Sequence, residues 1–147
     1  MGLEEFREYC KSKEKINLHE YSGSIEFQRH KKFLHCVSSN PQGYISGIGK
    51  IIESYNEVQL VDKDRRTLGA VDIVFFTQNR DVVLCEVKVS DVPGRGACSQ
   101  LEKQYYFVRD NFCLITRRIS LQKKSSGKIF QRIIEPNVRD LLRTAKC

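Results

Sequence analysis

The sequence predicts a single α/β domain in which a mixed central sheet is flanked by helices. Apolar residues recur at helical spacing in residues 3 to 38 and again in residues 97 to 110. Between these segments the pattern becomes extended, and its most apolar run, residues 81 to 90, is rich in valine. Consecutive strands with helices on either side are typical of one layered domain, and 147 residues suit one core of this kind.

Amphipathic segments predict helices before the first strand, over residues 3 to 14, 24 to 38 and 44 to 56. In the first segment Leu3, Phe6 and Cys10 fall on one face. The second begins after Ser24, a favourable helix cap, and ends before Pro41. The third repeats isoleucine along one stripe, although its two glycines are unfavourable in a helix.

Four strands are predicted from the extended part of the chain, over residues 57 to 62, 71 to 77, 81 to 90 and 112 to 121. The third lacks a polar face, so we expect it at the centre of the sheet, buried on both sides. A loop over residues 91 to 96 and a helix over residues 97 to 110 separate it from the fourth. A hairpin near residues 125 to 127 and a short helix after Pro136 complete the prediction.

Composition argues against several classes of protein. No apolar run approaches the roughly 20 residues that a membrane-spanning helix needs. The first residues are charged and lack the apolar segment of a secretory signal, so we expect an intracellular, cytoplasmic protein without membrane contact. The six cysteines include no C-x-x-C pair, and the three histidines lack zinc-ligand spacing relative to them. Free thiols in a reducing compartment are therefore expected.

The positive charge is concentrated late in the chain. Residues 113 to 147 hold nine Lys or Arg residues and two acidic residues, so they carry the whole net charge of +7. Such a region favours binding to a phosphate backbone, and on charge alone a solvated basic tail is an equal alternative. The expected contacts lie on the fourth strand and the hairpin after it: Arg117, Arg118, Lys123, Lys124, Lys128 and Arg132. Since strand side chains alternate, not all of them can contact one duplex.

Three charged residues interrupt the two most apolar strands. Asp72 lies in the second strand, and Glu86 and Lys88 lie in the third. Because side chains alternate along a strand, Glu86 and Lys88 share a face, and a tight hairpin brings Asp72 beside them. Two carboxylates provide the hard oxygen ligands that Mg²⁺ prefers, and they leave room for water and a substrate phosphate. A solvated surface pair is the alternative, but the apolar flanks argue against it, since a buried charge needs a partner.

The residues around these charges resemble the PD-(D/E)XK nuclease superfamily, in particular its RecB-like and archaeal Holliday-junction resolvase-like members. The matching pieces are Gly69-Ala70-Val71-Asp72-Ile73-Val74, Glu86-Val87-Lys88 and the helix that holds Gln100. In that superfamily a restriction-endonuclease-like α-β-β-β-α-β core carries the Asp on its second strand and the E-x-K on its third. The resemblance covers about residues 24 to 119 and implies the same core here, with residues 120 to 147 as a basic extension of the single domain.

The resemblance also implies a chemistry for these residues. Asp72, Glu86 and the backbone carbonyl of Val87 would bind Mg²⁺ or Mn²⁺, and Lys88 would serve the attacking water. Val71 stands in place of the nominal Pro before the Asp, at a position that varies in the superfamily.

Many of these nucleases carry a further acidic ligand on the first core helix, and two residues compete for that role. Glu26 lies in line with His30 and Val37 on the buried stripe of the helix over residues 24 to 38. Glu53 faces away from the isoleucines of the next segment, but it is nearer to the first strand. Face geometry favours Glu26, and Glu53 stays open as the alternative.

Gln100 resembles a Gln that RecB-like members carry on the helix after the E-x-K strand. Those members also carry a Tyr, and Gln104 occupies its expected position while Tyr105 follows it. A helix whose polar face merely carries two glutamines is an equal alternative. We include Gln100 among the expected site residues.

These features predict a Mg²⁺- or Mn²⁺-dependent nuclease that hydrolyses phosphodiester bonds, in DNA rather than RNA. A structure-selective endonuclease is the expected kind, and a homodimer is expected because one small core has little surface with which to enclose a duplex. The alternative from another class is a non-catalytic nucleic-acid-binding or assembly module that retains the fold. Two carboxylates facing a polyanion argue against that alternative.

Overall fold

The computed structural model describes residues 2 to 15, 23 to 92 and 95 to 144, with the backbone alone at residues 95 to 98 and 143 to 144. The helices and strands of this part of the chain, in order, are α1 (Leu3–Lys13), α2 (Ile25–Ser39), β1 (Ile51–Val61), β2 (Thr67–Thr77), β3 (Val82–Val89), α3 (Arg95–Phe112), β4 (Arg117–Lys123), β5 (Ile129–Ile134) and α4 (Val138–Thr144). A short 3₁₀ turn, Pro41–Gly43, follows α2. The mixed α/β prediction is confirmed at this level.

The five strands form one mixed sheet in the order β1-β2-β3-β4-β5. β3 and β4 run parallel, whereas the other neighbouring pairs run antiparallel. A parallel pair needs a long crossover connection, and α3 supplies it. β3 is the central strand and its first six residues are buried, as the sequence predicts. The hairpin between β4 and β5 and the helix after Pro136 are also confirmed.

Helices cover both faces of the sheet and enclose two apolar clusters. α1 and α3 pack on one face, where Phe6 and Val108 are fully buried. α2 packs on the other face through Leu34 and Val37, which are also fully buried. Full burial of an aliphatic or aromatic side chain contributes about 1.5 to 3 kcal/mol. These clusters hold α2 and α3 against opposite sides of β3.

α2 begins where the sequence predicts, but its first turn faces solvent. Ser24 Oγ accepts a hydrogen bond from the Phe27 N–H at 3.1 Å and so caps the helix. Ile25 and Phe27 are exposed despite their apolar side chains, and Glu26 is exposed between them. The prediction that Glu26 faces inward is therefore wrong. The buried stripe of α2 begins only where the helix lies over the sheet, after this first turn.

Residues 44 to 56 do not form the expected third helix. Gly47 and Gly49 have φ values of +84° and +81°, a left-handed backbone that an α-helix cannot include. Ile45 and Ile48 are buried from an irregular segment, and β1 already begins at Ile51 rather than at residue 57. β2 likewise begins earlier than predicted, and β4 begins later because α3 extends to Phe112.

No helix in the described ranges is long and apolar enough to cross a membrane. Free thiols are present at Cys10, Cys36, Cys85 and Cys113.

Candidate active site

The candidate site lies where β2 and β3 separate. Their antiparallel pairing runs as far as Ile73 opposite Cys85 and stops there. The next residues along the two strands are Asp72 and Glu86. Asp72 Oδ2 accepts a hydrogen bond from the Val87 N–H at 2.9 Å, in place of a backbone partner. Glu86 Oε1 lies 3.4 Å from the Asp72 N–H, so each carboxyl group faces the other strand's backbone and the two groups converge.

Glu86 is the more buried of the two acidic residues, at 3% exposure. Its Oε1 accepts a hydrogen bond from Gln104 Nε2 at 2.8 Å. Burial, followed by the charge of Asp72, raises the pKa of Glu86 to about 9 because both disfavour its ionised form. Two carboxyl groups this close are stable only with a proton or a cation to offset their charge. The pair is therefore suited to binding a cation.

His30 reaches the same site from α2. Its Nε2 atom lies 3.0 Å from the Val87 carbonyl oxygen and 3.4 Å from Asp72 Oδ2. The hydrogen bond to Asp72 raises the pKa of His30, although burial opposes this effect. An imidazole nitrogen thus lies close to two of the oxygen atoms that the family resemblance implies as metal ligands. The spacing of the histidines gives no metal-site pattern, so this role is not predicted from the sequence. The one signal for it is that His30 lies on the inward face of α2.

α3 contributes Gln104 to the site, whereas Gln100 forms no hydrogen bond to Asp72 or Glu86 in the described ranges. Gln104 is 3% exposed and also donates to the Ala70 carbonyl at 3.3 Å. Gln100 is exposed one turn earlier on the helix. The interpretation of Gln100 as a site residue is therefore not supported by its position. Gln100 and Gln104 lie on the same face of α3. The position of α3 along the sheet determines that Gln104 is the one that contacts Glu86.

Lys88 and the residues of β1 complete the surroundings of the pair. Lys88 follows Glu86 by two residues on β3, so it extends from the same face of the strand, and it is half-buried. Glu57 lies on β1 between two residues that pair with the neighbours of Asp72 on β2, and its carboxylate forms an ion pair with Lys31 of α2. Glu53 lies four residues earlier on β1, where it forms an ion pair with Arg7 at 3.1 Å. In the part of the chain that the structure describes, no hydrogen bond or ion pair joins Glu26 or Glu53 to Asp72 or Glu86.

The basic residues of β4 are divided between the two ends of that strand. In the parallel register Arg117 lies beside Val83 and Lys123 lies beside Val89. Six residues of strand, or about 20 Å, separate the two positions. Lys123 is therefore at the end of β3 that carries the candidate site, and Arg117 is at the far end.

The two arginines at the far end already have protein partners. Arg117 forms an ion pair with Glu135 at 2.8 Å, and Arg118 donates to the carbonyl of the same residue. The Arg118 guanidinium also lies 4.2 Å from the centre of the Tyr105 ring. These contacts tie the start of β4 to the segment after β5. Lys128 and Arg132 are exposed in the turn before β5 and on β5 itself.

Comparisons with known proteins do not show which family the chain belongs to. No protein-family model and no curated protein matches it. A solved structure described as the crystal structure of SSO0001 is similar, with 14% sequence identity and a TM-score of 0.45. The match covers 97% of this chain and 65% of SSO0001, so the chain spans about two thirds of that protein's length.

Proposed function

We propose that this chain is a metal-dependent nuclease of the PD-(D/E)XK type that hydrolyses phosphodiester bonds in DNA. The main support is the convergence of Asp72 and Glu86 in the gap between β2 and β3, with His30 Nε2 next to Asp72 and the Val87 carbonyl. The element order α2-β1-β2-β3-α3-β4 agrees with the restriction-endonuclease-like core that the resemblance implies. That topology is part of the proposal.

Mg²⁺ or Mn²⁺ would be held by Asp72, Glu86 and the Val87 carbonyl. All three offer the hard oxygen atoms that these ions prefer. Burial and the neighbouring Asp72 raise the pKa of Glu86, so a bound cation would favour its ionised form. In the described ranges no group of three or more His, Cys, Asp or Glu side chains is arranged to hold a metal ion by itself. The carbonyl and bound water would therefore be needed to complete the ligand set. A divalent ion there would supply charge neutralisation at the phosphate and a more acidic water molecule.

The chain's own residues have distinct roles in this proposal. Lys88 orients the attacking water or takes its proton at Nζ, from the same face of β3 as Glu86. Gln104 donates to Glu86 Oε1 and fixes the position of that carboxyl group. The Val87 N–H does the same for Asp72 Oδ2.

The preference for DNA, a structure-selective endonuclease mode and a homodimer are also proposals. The basic surfaces near Lys123 support binding to a polyanion, and they do not read bases, because phosphate contacts fix position without specifying sequence. The size of the domain supports a dimer for enclosing a duplex.

A cleavage assay tests the proposed function. The substrates are labelled single strands, duplexes, flaps and four-way junctions, each with Mn²⁺, with Mg²⁺ and with a chelator. We expect wild-type protein to cut at least one substrate only when a divalent ion is present, and Asp72→Ala, Glu86→Gln and Lys88→Ala to lose cleavage while remaining folded by circular dichroism. Glu102→Gln is the matched control because Glu102 is exposed on α3.

Two outcomes would count against this function. Cleavage by Glu86→Gln at the wild-type rate would show that the site is elsewhere or that the activity is a contaminant. Tight binding to the same substrates without cleavage under any metal condition would favour the non-catalytic nucleic-acid-binding module instead.

A further inference from the structure

We propose that a basic groove beside the candidate active site binds single-stranded nucleic acid. The groove, which we call the α2 groove, lies between α2 and the β4–β5 hairpin and has a volume of about 390 Å³. Its lining includes Arg29, Lys32, Phe33, Tyr44, Lys123 and Lys124. The inference rests on the proposed function, since it names the form of the substrate and the path that one strand takes.

Charge is the first argument for a polyanionic occupant. Four of the lining side chains are cationic, and no described lining residue is acidic. Arg29 and Lys32 are exposed on α2, and neither forms an ion pair within the described ranges. Asp91 lies near the hairpin, where it accepts a hydrogen bond from the Ser125 N–H at 2.9 Å and offsets part of the charge of Lys124. A clear positive excess remains for phosphate groups to neutralise.

The groove has an elongated form, which is the second argument. A further depression of about 340 Å³ continues it along α2, lined by Ile25, Gln28 and again by Arg29 and Lys32. The two depressions thus share two cations along one helix. A single small anion would occupy only part of this length, whereas a chain of phosphates can follow it.

Aromatic side chains favour a single strand over a duplex. Tyr44 is half-buried in the groove wall, and its ring meets the Phe33 ring edge-on at 5.9 Å. Phe33 itself is buried, so Tyr44 presents the accessible ring. Bases of a single strand stack on such rings without regard to sequence, whereas the faces of bases in a duplex are covered by their neighbours.

The α2 groove is adjacent to the candidate site through two elements. On α2, Arg29 immediately precedes His30, which contacts Asp72. On β3, Val89 lines the groove and immediately follows Lys88, and Lys123 lies beside Val89 in register. Val89 packs on the α2 side of the sheet whereas Glu86 contacts Gln104 of α3, so the groove meets the site on the α2 side, where His30 contacts Asp72. A strand with one phosphate near Asp72 would continue past Arg29 into the groove.

Binding measurements without cleavage test the inference separately from the proposed function. Fluorescence anisotropy with a labelled 20-nucleotide single strand and the matching duplex is measured in chelator, over a range of salt concentrations. We expect R29Q/K32Q to weaken single-strand binding about tenfold or more, and to make the slope of log affinity against log salt shallower by about 1.4, or 0.7 for each lost phosphate contact. Tyr44→Leu should weaken single-strand binding roughly five- to 150-fold, as expected for one stacked base.

The matched control is K50Q/R80Q. It removes the same charge from exposed positions near the β2–β3 turn, at the other end of the sheet. Equal losses in R29Q/K32Q and in this control would show that only net charge matters, and unchanged single-strand affinity in R29Q/K32Q would also overturn the inference. Equal loss of duplex and single-strand binding in Tyr44→Leu would assign the groove to a duplex instead.

The binding measurements and the cleavage assay together separate the two proposals. Loss of single-strand binding in R29Q/K32Q, together with a wild-type protein that cuts nothing, would support the groove and contradict the nuclease. Metal-dependent cleavage by wild type with unchanged affinity in R29Q/K32Q would do the reverse.

Discussion

Asp72 and Glu86 are held by residues from three separate elements. The Val87 N–H on β3 fixes Asp72, Gln104 on α3 fixes Glu86, and His30 on α2 approaches Asp72. In a buried setting such hydrogen bonds reinforce one another, and loss of one leaves a polar group without a partner. The residues that position the pair are therefore as informative to mutate as the pair itself.

Gln104→Ala should damage the site, and Gln100→Ala should not. Removing the Gln104 amide takes away the closer of the two donors to the buried Glu86 oxygen, which costs about 1 to 3 kcal/mol of unfolding free energy. We also expect at least tenfold slower metal-dependent cleavage, because Glu86 loses its fixed position. Urea unfolding and cleavage rates check both effects, and equal losses in the two variants would contradict the assignment of Gln104.

His30→Ala should weaken the response to metal, and Glu26→Ala should leave it unchanged. His30 contacts both Asp72 and the Val87 carbonyl, whereas Glu26 is exposed. Loss of a residue that orients metal ligands typically costs 10- to 100-fold in metal affinity. The readout is the Mn²⁺ concentration for half-maximal cleavage. A larger shift for Glu26→Ala would restore the original interpretation of that residue.

The acidic pair could be predicted from sequence, and the residues that position it could not. A charge inside an apolar strand is visible without knowledge of tertiary packing, so Asp72 and Glu86 stand out. Gln100 and Gln104 share a helix face, and only the packing of α3 against β3 decides which one reaches Glu86. Glu26 lies on the same face of α2 as His30. It is exposed because the first turn of α2 faces solvent, which the sequence pattern does not show.

The segment before β1 shows that helical spacing of apolar residues does not by itself predict a helix. The isoleucines of residues 45 to 52 fit a helix by spacing, yet the chain folds as a loop followed by a strand. Apolar residues in a loop can have the same spacing by chance, whereas a positive φ excludes a helix outright. Gly47 and Gly49 were therefore better indicators than the isoleucines. The ends of the strands are set by pairing with segments distant in sequence, so a local sequence pattern does not predict them.

Gly49→Ala should destabilise the protein by about 1 to 2 kcal/mol, because an alanine resists the left-handed backbone at this position. An added Cβ would meet its nearest neighbour, Asn79, at an ordinary contact distance of 3.4 Å, so the cost is one of backbone conformation. Urea denaturation gives the free energy of unfolding. Ser46→Ala, at an exposed position in the same loop, should change it by less than about 0.5 kcal/mol. No loss in Gly49→Ala would show that the loop adapts freely.

At the scale of the whole molecule, the proposed metal should stabilise the fold as well as support catalysis. An ion that binds only the native state at a hundredfold excess over its Kd adds about 2.7 kcal/mol. We expect Mn²⁺ to raise the Tm of wild type and of Glu102→Gln, and not that of Glu86→Gln. A shift of equal size in all three proteins would indicate binding elsewhere on the chain.

The homodimer expected from the sequence stays a prediction, and two exposed apolar side chains suggest where to test it. β5 is an edge strand on which Phe130 is 49% exposed, and on α4 Leu142 is 68% exposed. Exposed apolar side chains such as these are where a second copy would pack. Sedimentation velocity at several concentrations distinguishes a dimer from a monomer, and Leu142→Glu should shift a dimer that uses α4 towards monomer.

The bond between Asp72 and the Val87 N–H makes one backbone amide a reporter on the whole site. Most amides of a central strand are protected from deuterium exchange by the neighbouring strand and open only when the sheet opens. The Val87 amide is held by a carboxylate instead, so anything that draws Asp72 away leaves it unprotected while the sheet stays intact. In ¹⁵N-labelled protein this single resonance would follow occupancy of the site in solution, without substrate, turnover or an added probe.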